Sequence, residues 1–455
     1  MNSKYFVESL KRTLIDELFP AKYQLIPNIN DLYELELAFH EKQILHDDEI
    51  INNGAYFTKV GNQFTRLFRM CTGESLKLPD YSSSRLKSFF QKNIFRTGYA
   101  THGLFPYRGK FHPQMIRGII NIMGLKPGDT VLDPMMGSGT VTVEAAIMGI
   151  KSIGIDASPF CRFMTQTKID ALTMNLKRSK NAISNYEDVY NFFLKLPNMS
   201  TNSKNSLKSE KKSDVVSVME PAAEYVKVQD RSRLSKKNKD TSDTFNFLLL
   251  AYLDSAGYSE RSQRKSHLDQ FKAILERYVF VAEKYQQFRN SDNLEPAFAR
   301  ILEGDARDLP IEDSSIDGIV FSPPYSFAID YLDNDAFHLD YLGVKTDILK
   351  DSMIGLRGKS HKEKYEIYVK DMVQVISECS RVLRKGRICT IVVGTNNNQI
   401  GKALNVSPEE VAGLHEILAG IGKENNLELL KMISRPITGI SNTMRVEYIV
   451  MLQKK

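Results

Sequence analysis

Short apolar runs of the kind that form buried parallel strands recur along the chain, with helical patterns between them. Val131 and Leu132 lead into a polar turn with two glycines, and the apolar positions over 140–147 then have the spacing of a helix. The segment 151–156 also has the pattern of a strand and ends in an acid, and an apolar strand pattern at 316–321 leads into Ser322. Strands that alternate with helices are typical of a mostly parallel sheet covered on both faces. The pattern predicts a doubly wound α/β fold.

Further helical and strand patterns lie on either side of this region. Helical spacing over 5–18 and 31–43, without strand alternation, predicts a helical N-terminal region. A basic, aromatic stretch at 85–96 forms either a nucleic-acid groove or an ordinary amphipathic helix, and the second is the commoner structure. Towards the C-terminus the patterns predict a strand near 302, a helix over 365–383, a strand over 387–394, a helix over 414–425 and a strand over 446–452.

A long insertion separates the second strand from the next one. It begins with helical patterns over 163–193 and ends with them over 244–252 and 267–290. Its middle, 198–242, is rich in Ser, Lys, Asn and Asp and has few large apolar residues, so we expect it to be mobile. Its lysines either contact phosphates or belong to a solvated linker. The expected divisions are a helical region over 1–92, two halves of one α/β domain over 93–162 and 300–455, and the insertion over 163–299.

Composition narrows the class of protein. With 455 residues, of which 42% are hydrophobic, the chain can bury a large core. No apolar run is long enough to span a bilayer, and Met1 to Tyr5 lacks the order of a signal peptide, so we expect a cytoplasmic protein. The four cysteines are scattered and predict neither a disulfide frame nor a zinc site. A formal net charge of +6 permits a polyanionic partner without requiring one.

The turn after the first strand has the features of a ligand site. Gly137 and Gly139 lack Cβ atoms, so the backbone can lie against a ligand and direct its N–H groups at it, beside a positive helix N-terminus. Asp133 stands at the carboxyl end of the strand, where open α/β sheets bind ligands. Asp156 ends the next strand about 20 residues after the loop, where nucleotide-binding folds hold ribose hydroxyls. Taken alone, such a loop can also be an ordinary strand-to-helix turn.

Two motifs in register point to a family. Asp133-Pro134-Met135-Met136-Gly137-Ser138-Gly139-Thr140 together with Ser322-Pro323-Pro324-Tyr325 resembles the S-adenosylmethionine-dependent amino-methyltransferases of DNA. That family methylates N4 of cytosine or N6 of adenine. The resemblance runs from about Phe105 to Tyr448, interrupted by the insertion, and the family's usual loop has Phe where this chain has Met135. It implies a Rossmann-like methyltransferase sheet and S-adenosylmethionine as the cofactor, and the chemistry requires no metal.

The resemblance also implies which residues bind the cofactor. In the family a segment before the glycine loop closes over the methionine end of the cofactor. Lys110 and His112 in the similar segment here either meet the cofactor carboxylate or a phosphate, or belong to a capped turn. Asp305, in a turn after a strand, is placed to accept a hydrogen bond from the adenine amine. The expected cofactor-binding residues are Lys110, His112, Asp133, Pro134, Met135, Gly137, Ser138, Gly139, Thr140, Asp156, Asp305 and Ala306.

The expected catalytic residues are Ser322, Pro323, Pro324 and Tyr325. The exocyclic amine of a base is a poor nucleophile because its lone pair is delocalised into the ring. The Ser322 hydroxyl and the Pro323 carbonyl can accept hydrogen bonds from the amine and so direct its lone pair at the methyl group. The prolines stiffen this turn, and Tyr325 would stack on the base. A base in a duplex must be flipped out to reach such a site.

We therefore expect a site-specific DNA methyltransferase that acts on cytosine N4. In the resembling family Ser before Pro-Pro-Tyr is commoner among cytosine enzymes, and Asp among adenine enzymes. Adenine N6 and an RNA base are the alternatives within this chemistry, and a non-catalytic nucleic-acid-binding protein with the same fold is the alternative outside it. DNA is the expected partner, with RNA as the alternative and a cognate restriction endonuclease as a conceivable second partner. In the family an insertion between the two halves commonly supplies target recognition.

Overall fold

The computed structural model of the chain describes residues 13–27, 29, 31–72, 98–107, 109–198, 214–219, 238–261, 266–324, 331–395, 397–437 and 446–455. None of the helices in these ranges is long and apolar enough to cross a membrane. The strands in these ranges are β1 (Tyr23–Leu25), β2 (Phe57–Val60), β3 (Gln63–Phe64), β4 (Thr130–Asp133), β5 (Lys151–Asp156), β6 (Ala299–Glu303), β7 (Ile316–Phe321), β8 (Leu383–Gly394), β9 (Leu427–Pro436) and β10 (Val446–Lys454).

Helices surround the strands. In the described part of the chain they are α1 (Leu14–Leu18), α2 (Leu32–Ile44), α3 (Asp47–Asn53), α4 (Arg66–Thr72), α5 (Pro113–Ile122), α6 (Thr140–Met148), α7 (Pro159–Asp170), α8 (Lys177–Ser184), α9 (Tyr186–Lys195), α10 (Asp214–Met219), α11 (Lys239–Arg261), α12 (His267–Ser291), α13 (Tyr331–Tyr341), α14 (Thr346–Lys350), α15 (His361–Val382), α16 (Asn397–Leu404) and α17 (Leu414–Glu424). Two short 3₁₀ helices occupy Ala100–Gly103 and Leu196–Asn198.

The central sheet has seven strands in the order β6-β5-β4-β7-β8-β10-β9. All neighbours are parallel except β10, which runs antiparallel to both β8 and β9. The chain moves outward from β4 through β5 and β6 on one side and through β7 and β8 on the other, so the direction of winding reverses between β4 and β7. Ligands of open α/β sheets bind outside the carboxyl ends of the strands at such a point. The doubly wound α/β fold predicted from the sequence is confirmed.

Alternate residues of the central strands face two apolar layers. Val131 and Val320 pack in one layer with helices α5 and α6. Leu132 and Ile319, their neighbours in sequence, pack in the other layer with helices α15 and α17. Successive side chains of a strand point to opposite faces, and both faces of this sheet are covered. This double burial is why β4 and β7 have apolar residues at successive positions in the sequence.

The N-terminal region contains a small sheet beside its helices. Strands β1, β2 and β3 form a three-stranded antiparallel sheet, and Phe57 of β2 is fully buried. Tyr33 and Leu37 of α2 join the apolar layer that covers α5. This finding corrects the expectation of a purely helical region over 1–92, because strands of two to four residues are too short to show alternation. The basic stretch at 85–96 lies outside the described residues.

The insertion is helical, and its core is continuous with that of the α/β domain. Residues of α9, α11 and α12 share one apolar cluster with Phe160 of α7 and Leu339 of α13. Helix α10 lies inside the stretch at 198–242, and its residues Val215, Val216 and Met219 are buried in the same cluster. The expectation of a mobile middle is therefore corrected for this helix. Most of the remaining stretch lies outside the described residues.

A buried carboxyl connects the N-terminal region to the α/β domain. Glu41 of α2 is fully buried, and its Oε1 accepts hydrogen bonds from the backbone N–H of Ala55 at 2.9 Å and from Nδ2 of Asn121 at 2.5 Å. Burial raises the pKa of Glu41 to about 7 despite these hydrogen bonds. The folded protein therefore holds a proton on Glu41 at pH values where the unfolded chain has lost it.

Glu41→Gln should remove part of the pH dependence of stability. The raised pKa contributes to the free energy of unfolding. This contribution is fully present below the ordinary glutamate pKa and is lost as the pH rises through about 7. Glutamine cannot ionise, so the variant should be more stable than the wild type by about 1–2 kcal/mol near pH 8 and nearly equal to it near pH 5. Thermal unfolding at both pH values measures this, with the exposed Glu424→Gln as control. An equal difference at both pH values would contradict the role of ionisation.

Candidate active site

A cavity opens outside the carboxyl ends of β4, β5 and β7, where the direction of winding reverses. Its walls come from the segment before β4, the glycine loop, the start of α7, the turn after β7 and the loop between α14 and α15. The described residues that line it are Tyr107, Gly109, Lys110, Phe111, Met135, Met136, Gly137, Ser138, Thr140, Asp156, Ser158, Cys161, Ser322, Pro323, Pro324 and Met353.

Both predicted motifs contribute to this cavity. Among the residues predicted from the sequence, the structure places Lys110, Met135, Gly137, Ser138, Thr140, Asp156, Ser322, Pro323 and Pro324 in its lining. Within the described part of the chain, Asp133, Pro134, Gly139, His112, Asp305 and Ala306 do not line it. Tyr325 lies outside the described residues. The predicted cofactor loop (133–140) and the predicted catalytic turn, which begins at Ser322, therefore share one cleft, although they are far apart in sequence.

Backbone N–H groups of the glycine loop donate hydrogen bonds to acceptors within the protein. The N–H of Met136 donates to the carbonyl of Ile155 at 2.9 Å, and that of Gly139 donates to the carbonyl of Met136 at 2.7 Å. The N–H of Gly137 donates to Oδ2 of Asp156 at 2.8 Å. These donors were expected to face a ligand, and the structure corrects that expectation. Because β4 and β5 are neighbours, the strand end that carries Asp156 lies next to the loop and accepts its N–H group.

The two glycines of the loop have different roles. Gly139 has φ 74°, and a Cβ atom there would lie 2.4 Å from Cγ2 of Thr165, so only glycine allows α7 to pack this closely. Gly137 has φ 48°, and its nearest neighbour would be the ring of Tyr107 at 3.7 Å. Gly139 is therefore required for packing, and Gly137 leaves room on the cavity side of the loop.

Two carboxyl groups support the loop, one of them buried and the other partly exposed on the cavity wall. Asp133 is 1% exposed, and its Oδ1 accepts from the N–H of Met135 at 3.1 Å. Asp156 accepts from the N–H of Ser158 through Oδ1 at 2.8 Å, in addition to the Gly137 N–H. Burial raises the pKa of both carboxyls, that of Asp133 well above its ordinary value. Each carboxylate oxygen can accept a second hydrogen bond, so Asp156 on the cavity wall retains acceptor capacity for ligand hydroxyls.

Two lysines lie on either side of the loop. Nζ of Lys110, in the cavity lining, donates to the carbonyl of His102 at 2.5 Å, and burial lowers the pKa of Lys110 to about 7. Nζ of Lys168 on α7 donates to the carbonyl of Ser138 at 3.0 Å, and burial lowers its pKa well below the ordinary value. Lys168 fixes the loop, whereas the role of Lys110 at the cofactor stays a prediction. Lys168 was not predicted, because it lies in an ordinary helical pattern.

A buried ionic network holds the segment that carries Lys110. The carboxylate of Glu144 on α6 accepts from the hydroxyl of Tyr99 at 2.5 Å and from Nε of Arg117 at 2.8 Å, and it lies 2.6 Å from Nε2 of His102. Burial raises the pKa of Glu144, but Arg117 and His102 outweigh it and lower the pKa below its ordinary value. This network links α5, α6 and the 3₁₀ helix, and Lys110 joins it through the His102 carbonyl. No spacing in the sequence indicates these long-range contacts.

The catalytic turn follows directly from β7. β4 and β7 are paired, with Leu132 opposite Ile319, so the turn lies beside the glycine loop at the same edge of the sheet. The hydroxyl of Ser322 donates to the carbonyl of Pro323 at 3.4 Å, which leaves the lone pairs of its Oγ able to accept. The hydroxyl of Tyr368 on α15 donates to the carbonyl of Pro324 at 3.2 Å. This hydrogen bond, which sequence reasoning missed, fixes the turn against the opposite helix.

Tyr368→Phe should slow catalysis moderately. The ring stays buried against α15, but the turn loses the hydrogen bond to Pro324 and with it part of its fixed position. We expect kcat to fall about three- to tenfold, because a small misplacement of reacting groups is costly, while cofactor affinity is unchanged. Single-turnover rates and cofactor titrations measure both quantities. The matched control is Tyr285→Phe, a buried tyrosine of α12 that does not line the cavity. Equal rates for the two variants would contradict a positioning role.

Asp305 has its carboxylate engaged by a neighbouring arginine. Its Oδ1 accepts from Nε of Arg307 at 2.9 Å, and its Oδ2 accepts from Nη2 at 2.6 Å. Although burial raises the pKa of Asp305, these hydrogen bonds outweigh it and keep the pKa below the ordinary value. Arg307 also donates to Asp371 of α15 and to the carbonyl of Ser352, next to Met353 in the cavity lining. The role of Asp305 at the cofactor stays a prediction.

Comparison with known proteins identifies the chemistry of part of the chain. Residues 104–220 match a family described as RMKL-like, methyltransferase domain. The Type II methyltransferase M.BsoBI of Geobacillus stearothermophilus is 25% identical over 283 residues, which cover 53% of this chain and 53% of that protein. The Type II methyltransferase M.MjaII of Methanocaldococcus jannaschii is 46% identical over 68 residues, which cover 15% of this chain and 13% of that protein.

A third relative carries a different name. The tRNA (guanine(10)-N2)-dimethyltransferase of Methanothermobacter thermautotrophicus is 40% identical over 52 residues, which cover 11% of this chain and 16% of that protein. The chain thus spans about half the length of the first of these relatives and less of the other two. The sheet, the cavity at its winding reversal and the family match agree with one another. The chain carries a methyltransferase domain, and S-adenosylmethionine is the cofactor of such a domain.

Proposed function

We propose that this protein transfers the methyl group of S-adenosylmethionine to the exocyclic amine of a base in DNA, with cytosine N4 as the favoured atom. The observation that carries the proposal is the shared cavity, in which Ser322 and Pro323 lie in one lining with Asp156 and the glycine loop. An acceptor for an amine and a site for a nucleoside would thus be combined in one cleft. Such a combination is what methyl transfer between the two requires.

Residues on three walls would hold the cofactor. Asp156 would accept from ribose hydroxyls through the lone pairs that the N–H groups of Gly137 and Ser158 leave unused. Lys110 would pair with the carboxylate of the methionine end. The bound cofactor supplies an electrophilic methyl group on a sulfonium. Asp133 would act only through the loop, because it supports Met135 and does not line the cavity among the described residues.

The catalytic turn would prepare the amine. The Oγ of Ser322 and the carbonyl of Pro323 would accept hydrogen bonds from the two N–H bonds, which favours a pyramidal nitrogen with its lone pair directed at the methyl group. Ser322 is too weak a base to take the proton near neutral pH, so the amine proton would leave for water after transfer. Tyr325, the next residue in the chain, would stack on the flipped base.

Two observations favour cytosine as the base and DNA as the nucleic acid. The motif Ser322-Pro323-Pro324-Tyr325 resembles that of the cytosine enzymes in the amino-methyltransferase family, and two relatives are named Type II methyltransferases. A second candidate is methylation of a base amine in RNA, which is favoured by the similarity to two tRNA (guanine(10)-N2)-dimethyltransferases. Both candidates use the same cavity and the same amine chemistry.

A single labelling experiment separates these candidates. Duplex DNA and a tRNA pool are each incubated with the protein and S-adenosylmethionine that carries a deuterated methyl group. Each nucleic acid is then digested to nucleosides, which are identified by mass spectrometry. We expect labelled N4-methyldeoxycytidine. Labelled N6-methyldeoxyadenosine alone would move the proposal to adenine, and label in tRNA alone would overturn the DNA assignment. Cofactor binding without label in any nucleoside would favour a non-catalytic nucleic-acid-binding protein.

A further inference from the structure

A basic segment follows the predicted catalytic turn in the chain. Residues 345–364 contain six basic residues and three acidic ones, a formal net charge of +3. We call this segment the basic loop region. The basic residues are Lys345, Lys350, Arg357, Lys359, Lys362 and Lys364.

Four lysines of the basic loop region are exposed, and two of them form no ion pair among the described residues. Lys345, Lys350, Lys359 and Lys362 are all exposed. Within the described part of the chain, Lys350 and Lys359 form no ion pair, and Lys362 lies 3.9 Å from Glu366, a distance at which a surface pair contributes little. Their charge therefore remains available to an anionic partner.

The basic residues of the insertion are placed differently. Arg178 pairs with Asp240, Lys180 pairs with Glu283 at 2.5 Å, and Lys239 pairs with Asp170 at 3.0 Å. These described cations are thus neutralised by acids of the same helical region. The expectation that the insertion contacts nucleic acid has less support from its described residues than the basic loop region has.

Contacts within the protein fix the course of the basic loop region. Arg307 donates to the carbonyl of Ser352 at 3.2 Å, and Arg357 forms an ion pair with Asp371 of α15. Gly358 has φ 113°, and a Cβ atom there would lie 2.8 Å from the backbone nitrogen of Lys364. The loop between α14 and α15 therefore has a defined conformation, which holds its lysines in defined positions.

The same loop forms part of the cavity wall. Met353 lines the cavity together with Ser322 and Pro323. Lys350 precedes Met353 by three residues and Lys359 follows it by six, so the chain can carry them no farther than about 11 and 22 Å away. Along the helix axis one DNA strand has a phosphate about every 3.4 Å, so these upper limits correspond to about three and six phosphates from a base in the cavity.

We propose that the basic loop region, 345–364, binds the phosphate backbone of double-stranded DNA beside the flipped target base. This proposal rests on the proposed function and adds the surface that positions the DNA. Lys350 and Lys359, on either side of Met353, contact the phosphates that flank the base. Backbone contacts of this kind fix register and orientation without reading sequence.

The test compares two double variants by fluorescence anisotropy. The probe is a fluorescein-labelled duplex of mixed sequence, about thirty base pairs long, titrated at several salt concentrations, since non-specific binding is carried by phosphate contacts. Lys350→Ala with Lys359→Ala should weaken binding about tenfold and reduce the slope of log affinity against log salt by about 2. The control is Lys151→Ala with Lys385→Ala, two exposed lysines near the amino ends of β5 and β8, on the opposite edge of the sheet from the cavity.

The outcomes separate this proposal from the proposed function. An unchanged salt slope in the loop variant, with wild-type DNA binding and methyl transfer intact, would overturn the proposal and leave the function standing. An equal loss in the control variant would also overturn it, because the effect would then be general electrostatics. A wild-type protein that binds cofactor but neither binds nor methylates DNA would refute the proposed function itself. Cofactor affinity of the loop variant should equal that of the wild type, which shows that its cavity is intact.

Discussion

Ser322→Ala is expected to lower kcat by about ten- to a thousandfold and to leave the affinities for DNA and cofactor nearly unchanged. The hydroxyl stands at the end of β7 in the cavity lining, where its Oγ donates to the Pro323 carbonyl and keeps its lone pairs for the amine. Charge develops on that amine only during transfer. An acceptor that acts at this stage contributes to kcat more than to binding.

Single-turnover methyl transfer under saturating DNA measures the effect. Ser322→Asp should retain part of the activity, because a carboxylate offers the same acceptor, as Asp does in the adenine enzymes of the resembling family. The control is Ser315→Ala, a serine before the amino end of β7 whose hydroxyl donates to the carbonyl of Glu312 and which lies at the opposite edge of the sheet. Full activity of a folded Ser322→Ala protein would place the catalytic residue elsewhere.

The sequence predicts those parts of the fold and site that are encoded by adjacent residues, such as the strands and the residues at their ends. Strands β4 and β7 contain apolar runs because both faces of the sheet are covered, and β5 has apolar residues between its polar ends. Asp156 ends β5 and Ser322 directly follows β7, so their places at the carboxyl edge followed from the strands themselves. Parallel pairing then brought the two strand ends into one cavity.

Other parts of the site depend on contacts between distant segments and leave no local pattern. Met353 reaches the cavity from a loop that Arg307 holds, and Tyr368 reaches the catalytic turn from α15. The carboxylate of Glu144 contacts Tyr99, His102 and Arg117, which lie in two other segments of the chain. In sequence each is an ordinary polar or apolar residue of a helix or loop. Helix α10 was missed for a related reason, because three buried residues are few within a stretch rich in Ser and Lys.

Asp156→Ala is expected to weaken S-adenosylmethionine binding by about ten- to a hundredfold, the usual loss for hydrogen bonds to a charged group. Two effects combine in this variant. The cavity loses its acceptor for ribose hydroxyls, and the N–H groups of Gly137 and Ser158 lose the oxygens that hold them. The glycine loop would therefore loosen as well. Asp156→Asn keeps one oxygen and should show a smaller loss.

Isothermal titration with S-adenosylmethionine decides this prediction. The matched control is Glu303→Ala, because Glu303 ends β6 directly beside Asp156 in the sheet but does not line the cavity within the described residues. Burial raises the pKa of Asp156, so wild-type affinity should fall on acidification at a higher pH than it would with an ordinary carboxyl group. Asp156→Asn should lack that step while keeping Lys110, so the difference between the two titrations isolates Asp156. Unchanged affinity of a folded Asp156→Ala protein at every pH would remove Asp156 from the cofactor site.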